Sequence, residues 1–173
     1  AATTLTWSPA AANFLATPGV YTHDVQQLGA CSLMRVLAPP TAPLATFTVA
    51  DGQIELLGVA VGTAQAGASL PLVLYWQTLA AIDGSYTVFT QLFAPDGQMV
   101  AQQDNLPVAG LAPTNTWQPR QPVRDAYRLS IPPDAPPGLY TLHVGLYDAA
   151  GRQPVTLREG ASADHVGIAV EVD

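Results

Sequence analysis

Lysine is absent from this sequence, and its six basic residues are all arginines, set against 13 aspartates and glutamates. The net charge is −7, and charged residues make up 11% of the chain, compared with roughly 25% in typical soluble domains. Nucleic acids and anionic membranes attract proteins through clustered cations. A chain with so few cations and no basic patch is therefore expected to bind neither of them.

Cysteine and long apolar runs are also scarce. Cys31 is the single cysteine, which excludes an internal disulfide, and its apolar neighbours favour a small buried side chain. No apolar run approaches the ~18 residues that a spanning helix needs, so we expect no direct membrane span in this chain. The sequence starts without a methionine, and we expect it to be a segment of a longer protein.

Proline and glycine, by contrast, are frequent: the 173 residues include 16 prolines and 14 glycines, which favour many short strands and turns over long helices. From residue 46 onward, apolar residues alternate with more polar ones. In "LPLVLYWQT", for example, Leu72, Leu74 and Trp76 share one face. The turn signal Pro95-Asp96-Gly97 lies between two such runs and predicts a hairpin.

About seven strands are predicted after residue 46, each with one apolar face. We therefore predict an all-β domain at 46–173, an immunoglobulin/fibronectin-like antiparallel β-sandwich, with a jelly roll as the alternative because strand order cannot be read from the pattern. Residues 1–45 are predicted to form an N-terminal extension. It holds a short helix starting near Ser8, two short strands around Gly29, and a proline-rich connector over 38–45.

The stretch "DAPPGLYTLHVGLYD", residues 134–148, combines turn residues with an alternating run. Prolines and a glycine followed two residues later by Tyr140 predict a tyrosine corner, in which the hydroxyl bonds back to the loop backbone. Alternation places Tyr140 on the core face and both His143 and Tyr147 on the opposite face. His143 and Tyr147 therefore remain candidates for contact with a partner.

Sequence signatures of catalysis and of metal binding are missing. There is no Gly-x-Ser-x-Gly elbow and no glycine-rich phosphate loop, and the histidines do not pair at metal-binding spacing. Cys31 is followed by Met34 but by no nearby histidine, which excludes a blue-copper pattern. Carboxylates such as Asp104 and Asp125 are interpreted as turn residues or partners of arginines. We expect the chain not to be an enzyme and to hold no metal and no cofactor.

Carbohydrate contact is a further hypothesis, since exposed aromatic rings can stack on sugars. Trp117 in "APTNTWQP" is the candidate platform, and Asn115 and Asp104 could lie near it to bind hydroxyls. The alternative interpretation is that Trp117 fills the end of the sandwich beneath the long connection between strands. Exposed aromatic rings at one rim would favour a carbohydrate-binding module, whereas buried Trp117 and Tyr147 side chains would favour a structural one.

Three motifs carry a resemblance to a known family: "LYWQ" at 74–77, the spacing of "QDNLP" and "PTNTW" over 103–117, and "PPGLYTLHVGLYD" at 136–148. Over roughly residues 46–172, the chain resembles the soluble C-terminal β-sandwich of bacterial membrane glycosyltransferases of the protein-mannosyltransferase-like type, found notably in filamentous phototrophic (Chloroflexi-type) bacteria. The chain departs from that pattern at Arg120, where the family usually has glycine, and residues 1–30 match nothing.

The resemblance implies an extracytoplasmic location and a membrane-embedded parent domain. It also implies that "CSLMRVLAPP" is the tail of a preceding extracytoplasmic segment, and it transfers no catalytic residue. We therefore expect a non-catalytic accessory module that contacts a glycan, a lipid-linked sugar or an acceptor. The alternatives are a structural or protein-interaction sandwich of a surface protein and a stand-alone carbohydrate-binding module.

Overall fold

A computed structural model describes the backbone of residues 21–28 and 31–37 and all atoms of residues 42–173. The chain divides into two compact units, residues 1–41 and 42–173. In the first unit, strand β1 (Tyr21–Leu28) pairs antiparallel with β2 (Cys31–Leu37), which confirms the predicted pair of strands. The helix predicted near Ser8 lies outside the described residues.

The second unit consists of strands and two single-turn 3₁₀ helices, and the predicted all-β class is confirmed. Its strands are β3 (Ala45–Val49), β4 (Gly52–Val61), β5 (Ser69–Thr78), β6 (Thr87–Phe93), β7 (Met99–Asn105), β8 (Val123–Ser130), β9 (Gly138–Asp148), β10 (Gly151–Arg152), β11 (Val155–Leu157), β12 (Ser162–Ala163) and β13 (Val166–Val172). The 3₁₀ helices, Val108–Gly110 and Thr114–Thr116, interrupt the connection between β7 and β8.

These strands form the predicted antiparallel β-sandwich of two sheets that do not close into a barrel. The six-stranded sheet has the order β12-β11-β3-β4-β5-β8. The five-stranded sheet has β7, β6 and β9 side by side, and the far edge of β9 pairs with both β10 and β13. Every strand pair within the two sheets is antiparallel.

The core lies between the two sheets and follows the predicted alternation. Leu72, Leu74 and Trp76 of β5 are fully or almost fully buried, and the ring of Phe47 packs against the Trp76 indole with centroids 5.8 Å apart. Apolar side chains of β9 and β13 face them from the other sheet. Burial of each large apolar side chain contributes about 1.5–3 kcal/mol, so this layer supplies most of the folding free energy.

Two predicted turns are confirmed. The Ala94 amide donates to the Gln98 carbonyl at 2.8 Å, which closes the β6–β7 hairpin, and Gly97 adopts a φ of 85° there. At the start of β9, the Tyr140 hydroxyl donates to the Pro136 carbonyl oxygen at 2.8 Å. The predicted tyrosine corner therefore connects the 131–137 loop to the core.

The connection between β7 and β8 is held by a buried carboxylate. Asp125 points into the sandwich and accepts hydrogen bonds from the Val108 amide at 2.8 Å and the Tyr127 hydroxyl at 2.7 Å. Val108 and Ala109 have φ angles of 56° and 52°, a region that β-branched residues in particular avoid. Burial raises the pKa of the Asp125 carboxyl, and hydrogen bonding to the carboxylate partly opposes that shift.

Candidate functional site

The candidate site is the side of the five-stranded sheet that points away from the six-stranded sheet, which we call the outer face. Because directly opposite residues of antiparallel strands point to the same side, the strand register gives its composition row by row. The rows, read across the sheet from β13 or β10 toward β7, are Glu171–Leu139, Ala169–Thr141–Phe93–Met99, Gly167–His143–Gln91–Gln102, Gly145–Phe89–Asp104 and Arg152–Tyr147–Thr87.

Phe89 lies at the centre of the polar end of this face, yet its side chain is only 1% exposed. Its ring leans over Gly145, where a Cβ atom would come within 2.3 Å of Phe89 Cζ and 3.1 Å of the Asp164 carbonyl oxygen. From above, the Arg152 guanidinium lies 4.4 Å from the ring centre. A cation over an aromatic face at this distance is attractive by about 0.5–1 kcal/mol at an exposed site.

The Arg152 guanidinium is held in place by two polar partners. It donates to Asp164 Oδ2 at 3.0 Å and to the Gln91 side-chain oxygen at 3.1 Å. All three groups are partly exposed, so the ion pair itself contributes little to stability. Its consequence is geometric: a guanidinium, a carboxylate and an amide are fixed side by side next to aromatic rings.

Two stacked imidazoles continue the face toward its apolar end. The rings of His143 and His165 are 3.8 Å apart at their centroids, and Phe93 lies 4.5 Å from His143 on the other side. The Asp164 carboxylate contacts His165 Nδ1 at 2.6 Å. Burial lowers the pKa of the His143 imidazole, and the nearby charges of His165 and Arg152 lower it further. His143 is therefore neutral at neutral pH and can offer a hydrogen-bonding nitrogen, while its ring is flanked by those of His165 and Phe93.

Tyr147 and Asp104 form the remaining polar pair. The Tyr147 hydroxyl faces the Asp104 carboxylate, and the Tyr147 ring lies 6.3 Å from Phe89. Burial raises the pKa of the Asp104 carboxyl, whereas the hydrogen bond from Tyr147 and the charge of Arg152 oppose that rise. The Tyr147 side chain is half-buried, so part of its ring remains open to solvent.

The structure brings together three of the five residues predicted as ligand contacts: His143, Tyr147 and Asp104 all lie on the outer face. Trp117 and Asn115 lie in the β7–β8 connection instead. The Trp117 side chain is 5% exposed and its Nε1 donates to the Ala112 carbonyl oxygen at 2.7 Å. The hypothesis of Trp117 as an exposed stacking platform is therefore corrected: the indole fills the end of the sandwich, as the alternative interpretation held.

Sequence reasoning missed Phe89, Gln91, Phe93, Arg152 and His165 as members of the outer face. The first three alternate along β6, and that pattern was a usable signal. Arg152 lies in the two-residue strand β10, and His165 is the residue before β13. Neither position belongs to an alternating run, so the sequence pattern could not assign it to a face. Asp164, their common partner, is likewise recognised only through its contacts with both side chains.

Within residues 42–173, no three histidine, cysteine or acidic side chains are placed so that they could hold a metal ion. Within the described part of the chain, no helix has the length and hydropathy to cross a membrane.

A separate shallow concavity of about 370 Å³ lies by β3, β4 and β11, lined in part by Thr46, Thr48 and Thr156. The Arg158 side chain also lines this concavity, and its guanidinium donates hydrogen bonds to the carbonyl oxygens of Ala42 and Pro43.

No protein-family model matches the chain, and no curated protein matches it either. Similar solved structures include a glycosyl hydrolase family 2 member from Bacteroides cellulosilyticus DSM 14838, with a TM-score of 0.46 and 14% identity over 75% of this chain. The C-terminal domain of wzt has a TM-score of 0.45 and 11% identity, covering 78% of this chain and 80% of that domain. A family 123 glycoside hydrolase from Clostridium perfringens has a TM-score of 0.40 and 12% identity, covering 67% of this chain and 27% of the hydrolase. The present chain spans only 15% of the family 2 hydrolase.

Proposed function

We propose that residues 42–173 form a non-catalytic module that contacts a glycan through the outer face. The observation that carries the proposal is the placement of Tyr147, His143 and Phe93 rings beside fixed polar groups on neighbouring strands. Sugar rings present apolar C–H faces that pack on flat aromatic surfaces, and their hydroxyls need nearby donors and acceptors. The Asp104 carboxylate, the Gln91 amide and the Arg152 guanidinium supply both.

The charges of the outer face favour a neutral sugar. One guanidinium, Arg152, is matched by the carboxylates of Asp164 and Asp104, and His143 is uncharged at neutral pH. An acidic sugar brought to this surface would meet two carboxylates and a single cation that is already paired. Both carboxylates are committed to holding Arg152, His165 or Tyr147, which supports a binding role in preference to acid–base chemistry.

We further propose that this module is the extracytoplasmic accessory domain of a membrane glycosyltransferase-like protein. The support is the resemblance carried by residues 74–77, 103–117 and 136–148. The left-handed φ of 62° at Arg120 fits that resemblance, because the family has glycine at this position and glycine adopts such a φ without strain. In that setting the outer face would present a glycan, or an acceptor that bears one, to the parent enzyme.

A second candidate function, a structural or protein-interaction module, is favoured by the burial of Trp117 and by Leu111, which is 85% exposed in the β7–β8 connection. Exposed apolar surface marks a protein contact when it extends over several side chains, and Leu106 of the same connection is 38% exposed as well. This function uses a different surface from the outer face, so the two proposals can be separated by mutation.

The test is a glycan array probed with the 173-residue chain, followed by calorimetry on the neutral glycans that bind. The variant is Tyr147→Ala, and the matched control is Leu111→Ala, which changes an exposed side chain outside the outer face; circular dichroism confirms that both are folded. We expect the chain to bind a neutral glycan, the Tyr147 variant to lose at least about tenfold in affinity, and the control to bind as the native chain does. Absence of binding to any glycan, or equal affinity of the Tyr147 variant and the native chain, would overturn the proposal.

A further inference from the structure

The outer face changes character along β9, from polar and aromatic at Tyr147 to apolar at Leu139. We propose that its ligand is a glycan joined to an apolar aglycone, with the sugar at the Tyr147 end and the aglycone at the Leu139 end. This inference rests on the proposed function, because it assigns the second half of the same surface. It names the class of ligand: an uncharged amphiphile rather than a free sugar.

The apolar half is formed by directly opposed residues of neighbouring strands. Thr141 of β9 lies between Ala169 of β13 and Phe93 of β6, and Phe93 in turn faces Met99 of β7. None of these side chains is charged. Leu139, one row further along β9, is 65% exposed and Met99 is 47% exposed, values that a core-facing side chain of this sandwich does not approach.

The neighbouring edge strand leaves this half uncovered. On β13, the residues that point to the outer face next to His143 and Thr141 are Gly167 and Ala169. A Cβ atom at Gly167 would come no closer than 3.8 Å to its nearest neighbour, Thr141 Cγ2, so the space above it is open. The small residues of β13 thus form a shelf beside the taller side chains of β9 and β6.

Charge is concentrated at the other end. Arg152, Asp164 and Asp104 all lie in or beside the rows of Phe89 and Tyr147, whereas the Leu139 end has Glu171 as its charged neighbour, on the outermost strand. Strand residues advance by about 3.3 Å, so Leu139 and Tyr147 are separated by about 26 Å along β9. That length accommodates more than a single sugar ring, and the apolar rows continue the sugar-contacting rows without an intervening charged side chain.

An apolar aglycone is the occupant that this continuity favours. A protein partner or a second copy of the chain would bury the apolar half without needing the sugar-contacting half, whereas an amphiphilic glycan contacts both halves at once. Transfer of an alkyl chain from water to such a surface is favourable in proportion to the apolar area covered. The ligand should therefore bind more tightly than its sugar alone, and the gain should depend on the Leu139 end.

The experiment compares methyl and octyl glycosides of glucose, galactose and mannose by calorimetry, with the octyl compounds below their micelle concentration. The variant is the double change Leu139→Ser and Met99→Ser, and the matched control is Leu111→Ser, an exposed leucine elsewhere. We expect the octyl glycoside of a recognised sugar to bind about tenfold or more tightly than its methyl counterpart. The double variant should lose that gain and keep its affinity for the methyl glycoside, and the control should keep both.

Equal affinity for the octyl and methyl compounds would overturn the inference while leaving the proposed function intact, because the methyl glycoside would still bind. A gain that persists in the double variant, or that disappears equally in the Leu111 control, would also overturn it. Binding of neither compound for any of the three sugars would overturn the inference, whereas the glycan array decides the proposed function. Analytical ultracentrifugation provides a further check: a native dimer that the double variant dissociates would assign the apolar half to a second copy and overturn the inference.

Discussion

The Tyr140 hydroxyl donates a hydrogen bond of 2.8 Å to the Pro136 carbonyl oxygen, four residues earlier in the chain, while the Tyr140 ring is fully buried in the core. Tyr140→Phe keeps the ring and removes this bond, which leaves the carbonyl oxygen without that donor. We expect a loss of about 1 kcal/mol in the free energy of unfolding, measured by urea denaturation. Tyr147→Phe is the control: its hydroxyl faces Asp104 on the outer face, where water can replace that partner, so the loss there should be smaller. A loss in the control as large as that in Tyr140→Phe would contradict the corner's role.

Gly145 and Gly167 both lie on the outer face and make a matched pair of glycines. Alanine at Gly145 would place its Cβ 2.3 Å from Phe89 Cζ, whereas alanine at Gly167 meets only an ordinary contact at 3.8 Å. We expect Gly145→Ala to destabilise the unit by about 1–3 kcal/mol, as overpacking does, and Gly167→Ala to be neutral or slightly stabilising. Thermal unfolding of the two variants provides the comparison. Similar melting temperatures for both would show that Phe89 can move away at little cost.

His143 predicts a dependence of stability on pH. Its folded-state pKa is lowered from the ordinary value of 6.5, so the unfolded chain takes up a proton more readily than the folded chain. The contribution of His143 to the free energy of unfolding is complete above pH 6.5 and declines as the pH falls from 6.5 toward the folded-state pKa. Native protein should therefore lose more unfolding free energy between about pH 7.5 and about pH 5 than His143→Gln does.

Urea denaturation at the two pH values measures this difference. The groups that face His143 are His165, Arg152 and Asp164, and the first two act against its protonation whereas Asp164 favours it. An identical pH dependence in native protein and variant would show that His143 titrates alike in the folded and unfolded chains.

Asp125 predicts a pH dependence of stability that is opposite in sign to that of His143. Its pKa is raised from 3.8 by burial, so its contribution is complete below 3.8 and is lost as the pH rises through the folded-state value. Asp125→Asn keeps the shape of the side chain and removes the titration. We expect the stability of native protein relative to this variant to fall between about pH 4 and about pH 8, as measured by denaturation. A constant difference across that range would be evidence against a raised pKa.

Arg120 adopts a φ of 62°, and its amide donates to the Thr78 carbonyl oxygen at 2.7 Å. A left-handed conformation costs a non-glycine residue about 1–2 kcal/mol, which exceeds the extra chain entropy that glycine loses on folding. Arg120→Gly should therefore raise the free energy of unfolding by up to about 1 kcal/mol. The matched control, Arg124→Gly in strand β8, should lower it. Destabilisation by both variants would show that the Arg120 side chain makes a contact worth more than the strain.

The alternating pattern predicted the sandwich well because each strand buries one face against the opposite sheet. Strand β3 was missed, although Ala45, Phe47 and Val49 alternate with two threonines and all three are buried. A run of only five residues next to a proline-rich connector gives little room for periodicity to be recognised. The short strands β10, β11 and β12 are two or three residues long and exist because their neighbours pair with them.

The candidate site was predicted only in part, for a physical reason. Alternation shows on which face His143 and Tyr147 lie, but not which strands lie beside β9, and those strands supply Phe89 and Arg152. The sequence around Trp117 was equally compatible with an exposed and with a buried indole, because the proline-bracketed loop shows no alternation of apolar and polar residues. The deciding contact, from its Nε1 to the Ala112 carbonyl oxygen, depends on the fold of the whole connection.

The division of β9 into two faces also bears on how such a module can diversify. Tyr140, Leu142, Val144 and Leu146 maintain the core, whereas their neighbours on the outer face contribute little to it. Mutations that exchange the outer side chains can therefore alter what is recognised while the scaffold persists, and selection can act on the two sets almost separately. Gly145 is the exception, since Phe89 fills the space that its missing side chain leaves. A side chain at position 145 is therefore compatible with this fold only when the residue at position 89 is smaller than phenylalanine or moves aside.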